Sequence, residues 1–403
     1  MLSDSLLSSE ELAERAVESY RENFQASPAV LSQAPGRLEI LGNHTDYNKG
    51  FILSIALDLS VVIAGGLEES RPSRLAAWSS GFNERVEAGL EEIQAIGNSW
   101  INYPLGVLRE IKAAGSRLPS INLAVESSLP VGAGVSSSAA LELATAEAAY
   151  GMLGGRPATP MEQAQLCRRA ENDFVGVPCG ILDQFSSLFG RRNHVLFLDC
   201  DTLDYDRIPL AGSEVAVVIA DSGVQHELVD GKYARLRAHC QRATQKLNEL
   251  LDRKIDSLRQ VSLEEFLECR EQIEEEDRKR AEHVIRENRR VLAGVEALRR
   301  GDTAKLGELM LQSHSSSRDL FGNSCAELDF LVESAAELPG FIGAKLSGGG
   351  FGGATVNLVE QGAAVDFQQA LEESCSKRFA APARTFLTRI GDGARLLGKP
   401  PGS

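Results

Sequence analysis

The sequence predicts a two-domain chain of mixed α and β structure, and three observations carry that reading. At 403 residues the chain is longer than one hydrophobic core ordinarily supports. Its first half alternates short β-rich runs (FILSIAL, INLAVESS, HVLFLD) with helical patterns, whereas Tyr233 to about Gly301 is almost continuously helix-forming. A last α/β stretch follows, with the strand ATVNLV and the helical AAVDFQQALEESCSKR. The change of pattern puts the domain boundary near residues 200–212, dividing the chain into 1–205 and 206–403.

At the N-terminus, Ser8 and Glu11 stand at capping-box spacing, and Leu12, Val17 and Tyr20 can share one face of the helix that follows. This opening has no basic segment leading into an apolar core, so it does not read as a secretory signal. The apolar FILSIALDLSVVIAGG is interrupted by Asp58 and rich in β-branched residues, which predicts a pair of strands rather than a membrane span. The run REQIEEEDRKRAEHVIRENRR balances acids against bases and predicts a solvated helix with i,i+4 pairs.

Composition narrows the class of function. With 43% apolar and 25% charged residues the chain is ordinary for a soluble globular protein. A net charge of −15 argues against nucleic acid or an anionic membrane as the main partner. An anion can still be held locally by backbone amides, placed cations or a metal. Seven cysteines without a CxxC pair read as reduced thiols of a cytoplasmic chain, taken as a monomer.

Four segments carry chemistry. GRLEILGNHTDYNKG, residues 36–50, packs Arg37, Asn43, His44 and Asp46 between glycines, more hydrogen-bonding side chains than a turn needs. LPVGAGVSSSAALELATAEAAYGML runs from Gly132, Ala133, Gly134 and Val135 through Ser136, Ser137 and Ser138 into an alanine-rich helix. Helix-terminal amides and absent side chains suit a phosphate, although a serine-capped helix after a turn has the same pattern. GAKLSGGGFGGATV, which includes Gly348 and Gly349, permits close backbone approach or a flexible hairpin, and is expected to meet the first glycine loop across a cleft. In CRRAENDFVGVPCGILDQFSSLFG, Glu171 and Asp183 stand twelve apart across a turn. By spacing alone Glu171 reads as a surface carboxylate; with Ser138 and nucleotide oxygens it can complete a hard-oxygen shell for Mg²⁺.

Together these segments resemble the GHMP kinases, and the opening loop resembles the galactokinase signature GRxNxIGEHTDYNxG. SWINYPLGV, DSGVQHELVDGKYARLR, SHSSSRDLFGNSCAELD and GDGARLL are similar to galactokinase segments in the family's order, so the resemblance covers nearly the whole chain. It implies the two-domain α+β GHMP kinase fold with the active site in the cleft between domains, and ATP- and Mg²⁺-dependent phosphorylation of a sugar at its anomeric hydroxyl. Carried over, Asp183 and Arg37 match the catalytic pair, and Ser138 and Glu171 the Mg²⁺ ligands. Residues 132–138 match the phosphate loop, with Gly348 and Gly349 supporting it and Trp100, near Tyr103, flanking adenine. Asn43, His44, Asp46, Gly180 and Tyr233 fall on sugar-contacting positions.

Two residues depart from the pattern. Asn43 stands where the family has glutamate facing the hydroxymethyl end of the sugar, and Glu39 where it prefers asparagine. An uncharged amide at 43 relaxes the demand for a C6 hydroxyl and leaves galactose, galacturonate, arabinose or a C6-modified galactose open. Glu39 either pairs with a local cation or perturbs the loop. The family also includes non-catalytic sugar sensors; the intact set of Arg37, Ser138, Glu171 and Asp183 favours an active kinase, because a sensor need not keep it.

Overall fold

The computed structural model describes residues 7–69, 72–130, 132–210, 215–224, 229–379 and 384–398. Helix α1 (Ser9–Phe24) starts on the expected capping box, Ser8 with Glu11, and buries Leu12, Val17 and Tyr20. It lies on a sheet that begins with β1 (Val30–Leu41), β2 (Phe51–Glu68), β3 (Arg74–Ser79) and β4 (Glu84–Gly89). Helix α2 (Asn102–Ala113) then leads to β5 (Ser120–Ser127), which pairs parallel with β3 and antiparallel with β2. Three helices follow, α3 (Ser137–Leu153), α4 (Pro160–Arg169) and α5 (Leu182–Phe189), before β6 (His194–Asp199) and β7 (Tyr205–Pro209) extend the sheet from the other half of β2.

The expected strand pair in FILSIALDLSVVIAGG is one 18-residue strand, β2. It runs unbroken because different neighbours satisfy its two ends: β6 pairs with residues 51–54 and β5 with 61–68, while β1 spans both. Asp58 does not interrupt it. That exposed carboxylate accepts from Thr388 Oγ1 at 2.5 Å and the Arg389 amide at 3.1 Å, docking the distal chain onto the strand.

A four-stranded antiparallel sheet comes next, opened by β8 (Val215–Asp221). Helices α6 (Val229–Leu250), α7 (Leu263–Cys269), α8 (Glu275–Arg299), α9 (Thr303–Ser316) and α10 (Ala326–Ala336) intervene. The sheet is completed by β9 (Phe341–Ser347), β10 (Ala354–Glu360), α11 (Ala364–Arg378) and β11 (Arg384–Thr388), in the order β11-β8-β10-β9. A two-residue strand, β12 (Arg395–Leu396), returns the chain to β1. The expected boundary at 205/206 therefore falls within β7, a strand of the first sheet, and the tail beyond β11 rejoins that sheet. No helix among the described residues is long and apolar enough to cross a membrane.

Helix α8 departs from the solvated helix its charges suggested. The i,i+4 pairs Lys279–Glu275, Arg280–Glu276 and Arg286–Glu282 are present. The same helix, however, buries His283 and Glu287 together with Val284 and Val291. Charge balance cannot distinguish the two, because a buried carboxylate with its own arginine reads like a surface pair.

Burial holds three histidines neutral, lowering His44 to about 3 and His283 and His314 to about 4. Unfolded histidine takes up a proton near about 6.5. The unfolded chain therefore binds more protons as pH falls from there toward 4, and stability is lost in that window. Glu287 acts in the same direction at lower pH: burial, the largest influence, opposes its charge, but Arg290, His283, Lys345 and the Ser313 hydroxyl together outweigh it, giving about 2. Asp46, raised to about 6 by burial, opposes the trend, as do Glu142 and Glu171, which burial also raises. The loss of Tm between pH 7 and pH 4 is therefore expected to be smaller, or the gain larger, in His283→Gln than in wild type; calorimetry showing the same pH dependence for both would contradict this.

Candidate functional site

β1 places the first groups. Arg37 and Glu39 share one face of the strand while Leu38 turns into the core. The register is irregular between Pro35 and Arg37. Gly36 at that point lets the strand approach the loop before α3: a Cβ there would sit 2.8 Å from the Val135 carbonyl and 2.6 Å from Leu129 Cδ2. The Arg37 amide takes that carbonyl at 3.0 Å.

The Arg37 guanidinium, 7% exposed, meets Asp183 of α5 through Nε and Nη2, both 2.7 Å from Oδ1. Its Nη1 donates to the Gly134 carbonyl at 2.8 Å. Asp183 Oδ2 accepts instead from Ser136 Oγ at 2.5 Å. Ser136 has left-handed backbone geometry, with φ 58°, and makes no side-chain cap, so the first-turn amides of α3 keep no serine acceptor from it.

These groups border a cleft of about 220 Å³ lined by Arg37, Glu39, His44, Asp46, Gly180, Asp183, Tyr233, Gly348 and Gly349, among others. The two glycine-rich loops meet beside it, as expected: a Cβ on Gly134 would lie 3.8 Å from the Ser347 carbonyl, and one on Gly348 3.7 Å from that of Gly134. Gly180 leaves room for Asp46, whose Oδ2 would be 1.6 Å from any Cβ there. His44, at φ 59°, accepts at Nδ1 from the Tyr47 hydroxyl (2.9 Å) and donates from Nε2 to the Gly349 carbonyl (3.2 Å), the tautomer this network requires.

Asn43 is not in the cleft, contrary to the sequence expectation. It is fully buried, and its amide donates to Glu39 and to the Gly348 carbonyl while its Oδ1 accepts from Asn323 Nδ2 at 2.9 Å. Glu39 takes the first of its two expected options, pairing with the buried Lys345 at 2.6 Å. Trp100 also lies outside this cleft, in the first-sheet core, stacked on Phe82 and bonded to Glu84.

Beneath the loop, Glu171 is 4% exposed rather than on the surface. It accepts from Gln184 Nε2 at 2.7 Å and lies against Ser138. Burial and then Asp183 raise its pKa. Burial and then Glu171 raise that of Glu142, whose Oε1 has no partner. Tyr103 is pushed to about 12 by burial and by Glu171. Glu142 escaped the sequence reading although it follows Ser138 by one helical turn, the spacing that could have found it. Glu287 and His283 escaped it too. Glu287 Oε1 accepts from the Gly42 amide (2.9 Å) and Ser313 Oγ (2.6 Å), and His283 Nε2 donates to the Asn43 carbonyl (3.0 Å).

The chain matches the GHMP kinase N-terminal domain over residues 102–191, the galactokinase galactose-binding signature over 18–67 and the GHMP kinase C-terminal domain over 295–377. It is 39% identical to a galactokinase of Homo sapiens over 96% of this chain and 97% of that one. It is 41% identical to a galactokinase of Thermotoga maritima over 91% and 99%. The fold is similar to that of a Lactococcus lactis galactokinase complexed with galactose, with TM-score 0.88, 31% identity and coverage of 94% and 98%. The mevalonate kinase of Methanococcus jannaschii shares the fold at TM-score 0.64 and 17% identity.

Removing the Glu287 charge leaves Arg290, its 2.6 Å partner, largely buried and unpaired. Glu287→Ala is expected to cost about 3–5 kcal/mol in chemical denaturation; a loss below about 1 kcal/mol would contradict the clamp.

Proposed function

Because the chain belongs to the galactokinase family of GHMP kinases, we propose that it transfers the γ-phosphoryl group of ATP to the anomeric hydroxyl of galactose, giving galactose 1-phosphate and ADP. The observation that carries the reading is the Arg37–Asp183 pair at 2.7 Å, set between the sugar-signature loop and the glycine loop opening α3.

The anomeric oxygen forms its bond to γ-phosphorus as the bond from that phosphorus to the β-bridging oxygen breaks, and the hydroxyl proton passes to Asp183. Arg37 occupies Asp183 Oδ1, so Oδ2 is the oxygen left for that proton; its donor, Ser136 Oγ, can rotate away. Asp183 orients the hydroxyl and accepts its proton late, as a largely dissociative transfer allows. Asp46 presents acceptor oxygens to neighbouring sugar hydroxyls, with His44 and Tyr233 along the same wall. The loop 132–138 takes the phosphates on its amides, with Gly348 and Gly349 across the cleft, and Trp100 belongs to the adenine side.

Ser138, Glu171 and the half-satisfied Glu142 form a buried, anionic set that fits a divalent cation, and Mg²⁺ is the proposed occupant. Held by Ser138, Glu171 and Glu142, a divalent cation would supply charge to offset that of the transferring phosphoryl group. We further take the halves 1–205 and 206–403 as the two functional domains, and the protein as a cytoplasmic monomer, whose seven free cysteines suit a reducing compartment.

Incubation with labelled ATP, Mg²⁺ and a panel of galactose, galacturonate, arabinose and N-acetylgalactosamine is expected to label galactose; no labelled sugar 1-phosphate would overturn the reading. Asp183→Asn is expected to reduce kcat by roughly 100-fold or more with sugar affinity little changed, and near-normal turnover would remove its role. Arg37→Ala should lower kcat more than ATP affinity. An effect confined to ATP binding would contradict its place beside the reacting oxygen.

A further inference from the structure

Glu39 and Arg37 enter the cleft from one face of β1, about 7 Å apart along the strand, on the scale of a pyranose ring. The Glu39 carboxylate is 3% exposed yet lines the cleft. Its two oxygens are unequally served. Oε1 receives Lys345 Nζ at 2.6 Å and Asn43 Nδ2 at 3.2 Å, whereas Oε2 has only that same amide at 3.4 Å, near the limit of a hydrogen bond.

Asn43 has nothing left to offer a ligand. Nδ2 also donates to the Gly348 carbonyl at 2.8 Å, and Oδ1 accepts from Asn323 Nδ2 and from Ser317 Oγ. Lys345 gives two of its three N–H donors to Glu39 and the Leu346 carbonyl, and with no exposed surface it presents none to the cleft. A buried carboxylate oxygen short of a donor is costly unless the ligand supplies one.

We propose that Glu39 is the residue that selects the sugar, its Oε2 accepting a hydrogen bond from a hydroxyl remote from the one phosphorylated, and that Asn43 is a positioning residue holding that carboxylate. The acid and the amide have exchanged places relative to the signature, and the charge still reaches the cleft. The inference rests on the sugar-kinase reading and reverses the expectation drawn from Asn43 alone. A ligand carboxylate at this point meets Glu39 with no cation free to compensate, so the site admits a neutral sugar and excludes a uronate.

The test is steady-state kinetics of the full-length chain with galactose, 4-deoxygalactose, 6-deoxygalactose and galacturonate, each with ATP and Mg²⁺. In Glu39→Gln the galactose KM is expected to rise about 10-fold or more with the ATP KM within about two-fold. The same variant should lose most of the wild-type preference for galactose over one of the two deoxy sugars, which identifies the hydroxyl, and the galacturonate-to-galactose ratio of kcat/KM should rise. Asn43→Glu alone should remain impaired, whereas the exchange Glu39→Asn/Asn43→Glu should recover galactose kcat/KM to within about three-fold of wild type, a rescue that a merely structural role would not give. Should the unpaired Lys345 unfold Glu39→Gln, Glu39→Gln/Lys345→Met is read in its place. A folded Glu39 variant with unchanged galactose KM and unchanged sugar ranking overturns the inference while leaving the kinase reading standing. Absence of turnover with every sugar by the wild type tells against the kinase reading instead, and calorimetric galactose affinities of wild type and Glu39→Gln then decide the role of Glu39, equal affinities overturning it.

Discussion

Arg37 fixes the geometry of the cleft by holding three groups on two pieces of chain at once. Its side chain holds the Asp183 carboxylate and the Gly134 carbonyl, and its own amide holds the Val135 carbonyl. Two successive carbonyls of the glycine loop are thereby turned toward β1. A trans peptide sets N–H opposite the preceding C=O, so the amides of Val135 and Ser136 point away from the groups that hold those carbonyls. The cation that meets Asp183 thereby also fixes the orientation of the glycine loop, which ties the carboxylate and the loop to one frame. Alignment of that kind is most of what a protein contributes to phosphoryl transfer.

The electrostatics of the cleft follow from its ligands. Asp46 is raised to about 6 by burial, with Asp183 and Glu39 adding to it; after burial, Asp183 raises Glu171 and Glu171 raises Glu142. Such a surplus of acid is unfavourable in the free protein, and in a chain of net charge −15 nothing long-range relieves it. It becomes useful where a polyol supplies hydroxyl donors at one end and a divalent cation supplies charge at the other. The cations on hand are committed individually, Arg37 to Asp183 and Lys345 to Glu39. The two acids that face the cleft from β1 and α5 therefore keep separate cations.

Most of the elements and the chemistry-bearing loops were legible in the sequence, because they depend on local signals: the capping box of α1, the glycine spacing before α3, the density of polar groups around Asp46. What escaped depends on which way a residue faces once the sheet is assembled. β2 read as two strands because Asp58 looks like a break until β11 supplies its partners. Asn43 and Glu39 could be noted as departures but not assigned, since four residues along a strand and loop do not reveal that one amide is consumed by Gly348 and Asn323 while the acid reaches the cleft. Lys345 escaped as well, because a lone lysine in an apolar strand does not say which carboxylate it meets. Helix α8 hid His283 and Glu287 among balanced charges.

Those last two residues explain how a loop can recognise a sugar without yielding to it. Residues 42–44 are held by α8, through Glu287 on the Gly42 amide and His283 on the Asn43 carbonyl, while β9 holds β1 through Lys345. His44 keeps a left-handed backbone that costs a non-glycine residue energy, and it persists because the surrounding bonds determine it. The C-terminal half thus clamps the N-terminal half's own sugar loop, so the two halves cannot separate without breaking buried charge-assisted bonds. That seam fixes the loop around His44 before any ligand arrives, and polar groups held in place reject an analogue that leaves them unpaired, which is how a rigid wall discriminates between hydroxyls.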